Sequence, residues 1–567
     1  MKKYVISKEI ENFDTCIKLD LNEFDFDHHP NLYTTIKDSI ISPKSITHYS
    51  NFYNYNTQKL LENIANKNNI VKEQILITAG SDDGLEYIVN KYINTNTTVI
   101  MFVPTYNYFE LLVKRNTKNI IYIPIDFYDN NYNIFDCLEF YKEILKNNSL
   151  VYIVNPNNPL GTIVNINNLE KCLAEYTNTI FLVDEAYIEF CPEFTSSNLL
   201  KEYNNIIITR TFSKAYGLAG MRLGYIISSI KCINDISILY NEKNVTDLAK
   251  VAGSFILENN NYYQDIINEV LNNRKDFELF LKNNDIPYIS SLSNFISFYV
   301  GDNNNMLLDI LKSHNVYIRN RSEQTNMNGF VRITIGKKNN MDLIKEIIFN
   351  NKNIFDKSKY VIQYFTPKKI IWKLKLLFKK LLEILNNSEL ENKYWFDGGS
   401  LLGIYRNNGL IPWDDDIDIG IQLKDSHYLE SLNDILKNNG LRLKRNRTNC
   451  YYQIDFDEGD SIITIEDSWK YKTNDIHIDI FTFDDNFITT DPRFIEKDET
   501  EFKCNVTYSY DNIFPLKKQL FYNLNVNTPK NTELLLDNTL SNDYKNIGIL
   551  IKDNKKIIIN ANNYLPA

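Results

Sequence analysis

Five short apolar runs, at residues 75–78, 99–103, 150–154, 180–183 and 206–208, constrain the fold of this chain more than any other feature. They alternate with segments of helical periodicity, which calls for an α/β fold with a mostly parallel sheet and crossover helices. Each run closes in a polar cluster: Ala79-Gly80-Ser81-Asp82-Asp83, Pro104-Thr105-Tyr106, Asn155-Pro156-Asn157-Asn158-Pro159, Asp184-Glu185-Ala186-Tyr187 and Thr211-Phe212-Ser213-Lys214. Any one of these is ordinary turn chemistry. In an open α/β sheet, however, ligands bind beyond the carboxyl ends of the strands, and five clusters at five such ends define a site.

The last cluster opens the densest stretch of chemistry, residues 209–225. Lys214 stands there among Thr211, Ser213 and two glycines, with Arg222 eight residues on. A lysine in that setting suits imine formation, with the hydroxyls and the arginine holding a phosphate. Gly80, Ser81 and Asp82 lie between a strand and a helix, where free backbone N–H groups and the helix dipole also favour a phosphate.

Taken together, these motifs resemble the fold-type I pyridoxal-phosphate enzymes, and most closely the histidinol-phosphate aminotransferase branch. The similarity runs from Leu19-Asp-Leu-Asn-Glu23 to Val331-Arg-Ile-Thr-Ile-Gly336. It implies a class I/II aminotransferase domain over residues 1–352 with pyridoxal 5'-phosphate as cofactor. By the same resemblance Lys214 is the Schiff-base lysine and proton carrier, and Asp184 faces the pyridine nitrogen. Asn158 and Tyr187 bind the ring's phenolic oxygen, and Tyr106 stacks on the ring. Gly80, Ser81, Asp82, Thr211, Ser213 and Arg222 hold the cofactor phosphate. Tyr49 matches a tyrosine sent across a dimer interface, which implies a homodimer. Arg332 binds an anionic group of the substrate, Arg319 helps read a substrate phosphate, and Asn22 and Tyr49 flank that pocket. Phe24, Ser50 and Leu160 depart from the family pattern and leave the substrate open, a small phosphorylated amine or amino acid being the expectation. Alternative readings of this half are an amino-acid-phosphate decarboxylase, a histidinol-phosphate aminotransferase, or a non-catalytic dimerising scaffold.

Residues 353–366 lose the regular pattern and read as a linker. Thr366-Pro367 reads as a helix start, with Thr366 as cap. Ile370, Leu374, Leu377, Leu381 and Leu385 follow on one helical face, and Lys368, Lys369, Lys373, Lys375, Lys379 and Lys380 predict a wet basic side.

The second centre of chemistry is Tyr394-Trp-Phe-Asp-Gly-Gly-Ser-Leu-Leu-Gly-Ile-Tyr-Arg406, followed by Leu410-Ile-Pro-Trp-Asp-Asp-Asp-Ile-Asp-Ile-Gly420. On a strand Asp414, Asp416 and Asp418 share a face, and Asp479 sits in another alternating run. Clustered carboxylates repel unless a cation sits among them, and oxygen-only ligands suit Mg²⁺ or Mn²⁺. The glycine pair can bring backbone amides to a phosphate. This pattern resembles the LicD family of phosphocholine and fukutin-related transferases. The resemblance implies an α+β nucleotidyltransferase-like domain over residues 367–567. It also implies a metal held by Asp416, Asp418 and Asp479 with Asp414 nearby, a CDP-alcohol donor and a glycan acceptor. Arg406 and basic residues near Arg442–Arg447 are expected to neutralise phosphate or cap the pocket.

A formal charge of −10 argues against general nucleic-acid binding. The seven cysteines form no CxxC pair, which fits a reducing compartment. No signal-like start and no membrane-length apolar run is visible, so the expectation is a cytoplasmic, bifunctional enzyme that makes and attaches an amino-bearing phospho-substituent.

Overall fold

The computed structural model describes residues 16–40, 49, 53–127, 131–357, 360–445, 451–457, 476–485, 509–540, 544–552, 555–561 and 564. The chain divides into two compact units, Met1–Tyr360 and Val361–Ala567. No helix among the described residues is long and apolar enough to cross a membrane.

The first unit is built on a seven-stranded sheet of β1 (Ile75–Thr78), β2 (Thr98–Val103), β3 (Ile120–Pro124), β4 (Ser149–Val154), β5 (Thr179–Asp184), β6 (Ile206–Thr211) and β7 (Gly224–Ser228). Their order is β1-β7-β6-β5-β4-β2-β3. All neighbours run parallel except β7, which is antiparallel to both β1 and β6. Strands β4 and β6 are buried along their whole length, as central parallel strands with both faces covered must be.

Two of these strands are not foreseen by the sequence pattern. Strand β3 is a partly exposed edge strand ending in Pro124, which an edge position tolerates. Strand β7 starts at Gly224, where the 209–225 stretch ends. A Cβ at Gly224 would stand 2.6 Å from the carbonyl carbon of Gly80 and 2.8 Å from the amide nitrogen of Ser81. Glycine is therefore what lets β7 press against the start of helix α1 (Gly80–Tyr92).

A second, antiparallel sheet in this unit contains β8 (Tyr288–Ile289), β9 (Phe295–Tyr299), β10 (Arg319–Asn320) and β11 (Phe330–Thr334), in the order β8-β9-β11-β10. One face of it, with Ile296, Phe298, Val331 and Ile333, belongs to one hydrophobic core. The register sets Arg319 directly opposite Arg332.

The second unit opens with helix α2 (Lys368–Asn386). The five predicted apolar positions are buried, together with Ile371, Trp372, Phe378, Leu382 and Ile384. The predicted wet basic side fails at Lys375. Its side chain is 1% exposed, and its ammonium lies 3.8 Å from the ring centre of Trp372 and 3.6 Å from that of Tyr522. The predicted cap is also corrected. The Thr366 N–H donates to the Pro412 carbonyl at 3.0 Å, which draws Thr366 away from the helix, and Pro367 takes the capping position. Phe365, inside the stretch read as a linker, packs 5.8 Å from Trp413.

Helix α3 (Gly398–Asn407) follows strand β12 (Tyr394–Phe396). With β13 (Ile417–Gln422), β14 (Leu441–Arg445), β15 (Tyr451–Phe456) and β16 (His477–Phe483), β12 forms a mixed sheet ordered β12-β13-β16-β15-β14. Only the β13–β16 pair is parallel.

Candidate active site

The strand-end clusters of the first unit converge on a cavity of about 810 Å³. Ser81, Asp82, Tyr106, Asn158, Asp184, Tyr187, Thr211, Ser213, Lys214, Arg222, Arg319 and Arg332 all line it. Gly80 stands just behind, at the first turn of α1. Its φ of 80° lies in the left-handed region, and a Cβ there would come within 2.8 Å of the Arg222 guanidinium.

Lys214 is tethered by a 2.8 Å hydrogen bond from its Nζ to the Leu21 carbonyl. Burial lowers its pKa to about 8, and the nearby Arg332 charge pushes the same way. A sizeable neutral fraction therefore exists near neutral pH, as a nucleophilic amine requires. At the end of β5, Asp184 accepts from the Tyr152 hydroxyl at 3.1 Å, the Thr209 hydroxyl at 3.2 Å and the Ala186 N–H at 3.2 Å. Burial raises its pKa to about 6 despite those donors. A buried carboxylate of that kind is poised for a cationic partner.

Tyr187 is held by two side-chain amides. Its hydroxyl oxygen accepts from Asn22 at 2.9 Å and from Asn158 at 3.3 Å, which leaves the hydroxyl proton to donate. Asn158 in turn accepts from Arg332 at 2.6 Å, and Arg332 also donates to the Asp20 carbonyl at 2.7 Å. Thus Asn22, buried and set behind the cavity wall, acts on the cavity through Tyr187.

At the other end of the cavity, Asp82 accepts from the Tyr106 hydroxyl at 3.0 Å and from Arg222 at 3.3 Å. The Thr211 hydroxyl donates to Ser213 at 2.9 Å and accepts the Ser213 N–H at 3.1 Å. The start of α1, two hydroxyls and a guanidinium thus form a seat that suits a phosphate. The Gly80–Gly224 contact keeps that seat clear of side chains. A phosphate seat, a buried carboxylate and a buried amine lining one cavity fit pyridoxal phosphate.

Tyr49 does not join the cavity of its own chain. It is 78% exposed, with the Lys243 ammonium 4.8 Å from its ring centre. Ser50 lies outside the described residues. The sequence reading missed Arg321, which also lines the cavity. The alternation of Arg319, Asn320 and Arg321 was the available signal.

In the second unit, ligand oxygens of Asp416, Asp418 and Asp479 lie within 4.8 Å of one another, and those of Asp414, Asp415 and Asp416 form a second such group. The predicted strand is shorter than expected. β13 begins at Ile417, and Asp414 closes a turn by donating its N–H to the Ile411 carbonyl at 3.0 Å, with Asp415 and Asp416 between that turn and the strand. Pro412 in this turn accounts for the break. Asp418 and Asp479 are direct partners on the parallel strands β13 and β16. Gln453 donates to Asp479 at 2.9 Å.

Burial and mutual repulsion raise Asp414 and Asp418 well above the usual carboxylate range and Asp416 to about 6. Cβ atoms at Gly398 and Gly399 would meet Asp418 and Asp414 oxygens at 2.6 and 2.7 Å, so glycines let α3 approach the carboxylates. A divalent cation with oxygen ligands fits this set. The basic residues expected here are committed elsewhere. Arg406 donates to the carbonyls of Tyr544 and Ile547, Arg442 and Lys444 pair with Asp455, and Arg445 pairs with Glu430. Arg447 lies outside the described residues.

Comparison with known proteins agrees with both halves. Residues 391–531 match the model of the LicD/FKTN/FKRP nucleotidyltransferase domain. A dihydroxyacetone phosphate transaminase of Campylobacter jejuni is 33% identical over 338 residues, covering 59% of this chain and 89% of the relative. A histidinol-phosphate aminotransferase of Brachyspira hyodysenteriae is 29% identical over 299 residues, covering 52% and 81%. The solved histidinol-phosphate aminotransferase of Sinorhizobium meliloti, in complex with pyridoxal-5'-phosphate, superposes with a TM-score of 0.52 at 20% identity over 61% of this chain and 99% of that one. The L-threonine-O-3-phosphate decarboxylase of Porphyromonas gingivalis has the same fold, with a TM-score of 0.51 at 20% identity over 59% and 99%. Residues 14–348, more than half of the chain, match the model for aminotransferase class I and II, and the chain belongs to that family.

Proposed function

We propose that the first unit transaminates a small phosphorylated ketone or aldehyde, with dihydroxyacetone phosphate as the first candidate. One observation carries the reading: Lys214, Asp184 and Tyr187 face one cavity together with arginines at positions 319 and 332. The 33% identity to a dihydroxyacetone phosphate transaminase over 89% of its length supports that candidate. Transamination at its central carbonyl gives the phosphate of an amino-diol.

When bound, pyridoxal phosphate supplies an electron sink for the pair left behind as a proton leaves the substrate carbon. The chain's own residues do the rest. Lys214, with its pKa near 8, takes and returns that proton at Nζ. Asp184 holds a positive charge at the ring nitrogen, and Tyr187 donates its hydroxyl proton to an oxygen anion. Arg332, fixed by Asn158 and Asp20, presents a fork to a carboxylate of the amino donor. The exposed Tyr49 completes the phosphate seat of a second copy in a homodimer.

The second unit, on the same proposal, moves a phospho-alcohol from a CDP-linked donor to a glycan hydroxyl. Asp416, Asp418 and Asp479 hold Mg²⁺ or Mn²⁺, which neutralises diphosphate charge. The order of domains supports a link between amine formation and attachment, with cytidylation supplied by another enzyme.

Purified chain is expected to form 2-oxoglutarate from L-glutamate and dihydroxyacetone phosphate, without carbon dioxide. Carbon dioxide release from a phosphorylated amino acid, with no use of keto acceptors, would replace transamination by decarboxylation. CMP release from a CDP-alcohol and a glycan, dependent on Mn²⁺, checks the second half. None across a broad donor panel ends that reading.

A further inference from the structure

Strand β10 is short, but its ladder continues for one residue, since the Arg321 N–H donates to the Phe330 carbonyl at 2.9 Å. Alternation along an extended chain then puts Arg319 and Arg321 on one face and Asn320 on the other. The side chains follow that rule. Asn320 faces the helix Asn304–Ser313, donating to Asn305 at 2.9 Å, and its oxygen accepts the Ser322 N–H at 2.9 Å. Arg319 and Arg321 line the cavity, and Arg332 joins them from directly across the ladder.

Like charges facing one another on a sheet are destabilising in themselves. The cavity wall contributed by this sheet and its following loop holds Arg319, Arg321 and Arg332 against a single carboxylate, Glu323. Its formal balance is that of a receptor for a dianion. Arg332 is already committed at the back of the cavity to Asn158 and to the Asp20 carbonyl.

The loop after Arg321 is fastened rather than left to drift. The Gln324 N–H donates to the Arg321 carbonyl at 2.9 Å. The Gln324 side-chain amide donates to the Thr105 carbonyl at 3.0 Å and to the Asn107 side chain at 2.6 Å. Arg321 is thereby tied to the Pro104-Thr105-Tyr106 cluster at the end of β2, while the cofactor-phosphate seat belongs to α1 and β6.

We propose that Arg321 is a specificity-determining residue that, beside Arg319, binds the phosphate of the ketone substrate and makes the site select phosphorylated over unphosphorylated acceptors. This rests on the transaminase reading above. Its signature is a ratio, because a residue that only supports the fold lowers all acceptors alike.

The test compares kcat/KM for dihydroxyacetone phosphate with that for dihydroxyacetone, in the full-length holoenzyme and in Arg321→Gln and Arg321→Lys. The preference for the phosphorylated ketone should fall about tenfold to a hundredfold in Arg321→Gln, chiefly through KM for the phosphorylated ketone, because hydrogen bonds to charged groups are worth factors of that size. Arg321→Lys should recover part of the preference, since it restores charge without the two-pronged geometry. Inorganic phosphate, used as a competitive inhibitor of wild type, should inhibit Arg321→Gln more weakly. An unchanged ratio, or equal losses on both ketones, overturns the assignment while leaving the transaminase reading intact. A wild-type enzyme that uses neither ketone with any amino donor overturns the transaminase reading and this inference with it.

Discussion

The two chemical centres of this chain handle buried charge in opposite ways. Around Lys214 the groups nearest the chemistry are met by partners: Asp184 by Tyr152 and Thr209, Tyr187 by Asn22 and Asn158, and Arg332 by Asn158 and the Asp20 carbonyl. Around Asp418 like charges face like charges, and Asp414, Asp416 and Asp418 are all pushed toward protonation by burial and by neighbouring carboxylates. The first site is assembled before any ligand arrives and uses it for chemistry. The second is under electrostatic strain that a divalent cation would relieve. Preorganisation and stored repulsion are different ways to be ready, and they predict different responses to mutation.

The largest expected effect breaks the first site without disturbing its frame. Lys214→Ala should lower transamination by at least about 10³-fold, because both the nucleophile and the proton carrier go. The visible absorbance of the lysine-bound cofactor should vanish while the protein remains folded. Activity within tenfold of wild type would remove Lys214 from the centre of the proposal. In the second site the contrast is sharper, since function and stability should move in opposite directions. Asp418→Asn should abolish Mn²⁺-dependent CMP release, yet without metal it should raise the second unit's melting temperature, because the cost of burying an ionisable carboxyl among its neighbours is gone. With Mn²⁺ only the wild type should gain stability. A variant destabilised both with and without metal would show that the carboxylates are not in conflict.

How much of this was legible in the sequence follows from where the information sits. Lys214, Asp184, Asn158 and Arg222 were readable because each lies at or just beyond a strand end in a local pattern, and all four line one cavity. Strand β7 was not, because its identity depends on Gly224 fitting against Gly80, a contact between distant parts of the chain. Lys375 looked wet because helical periodicity shows which face a residue is on but not what covers that face. Tyr522 covers it, from a hairpin far along the sequence. Asp414 and Asp416 were placed on a strand by alternation alone, and the turn at Pro412 overrode it. Arg321 stood in plain alternation with Arg319 and was passed over, since only the cavity reveals that the face it shares is an inner one.

A middle-sized effect asks how far preorganisation reaches. Tyr187→Phe removes one oxygen but strands two amide donors, Asn22 and Asn158, in a buried place. Losing such partners costs about 1–3 kcal/mol per stranded group. The variant should therefore melt lower, and its kcat should fall about tenfold. Tyr187→Phe as stable as wild type would mean that the two amides do not depend on the hydroxyl, and the first site would be less built than it looks.

The smallest effect is a dependence on pH that separates the first site from the second. Without cofactor, Asp184 carries a pKa of about 6 against 3.8 for its ordinary value, and Lys214 about 8 against 10.5. Between pH 3.8 and 6 the folded chain binds more protons at Asp184 than the unfolded chain does, so its contribution to stability falls as pH rises. Between pH 8 and 10.5 the unfolded chain binds more protons at Lys214, so that contribution rises with pH. Both groups are charged and buried between about pH 6 and 8, where the cofactor-free unit should be least stable on their account. Each step is worth about 3 kcal/mol at most, a shift of a few degrees in melting temperature. Melting curves of the cofactor-free protein from pH 4 to 10 should show this shallow minimum. Asp184→Asn should remove its acid limb, Lys214→Ala its alkaline limb, and cofactor should fill it. An acid limb that survives in Asp184→Asn would assign the protons to other groups and take away the argument that Asp184 waits for a positive charge.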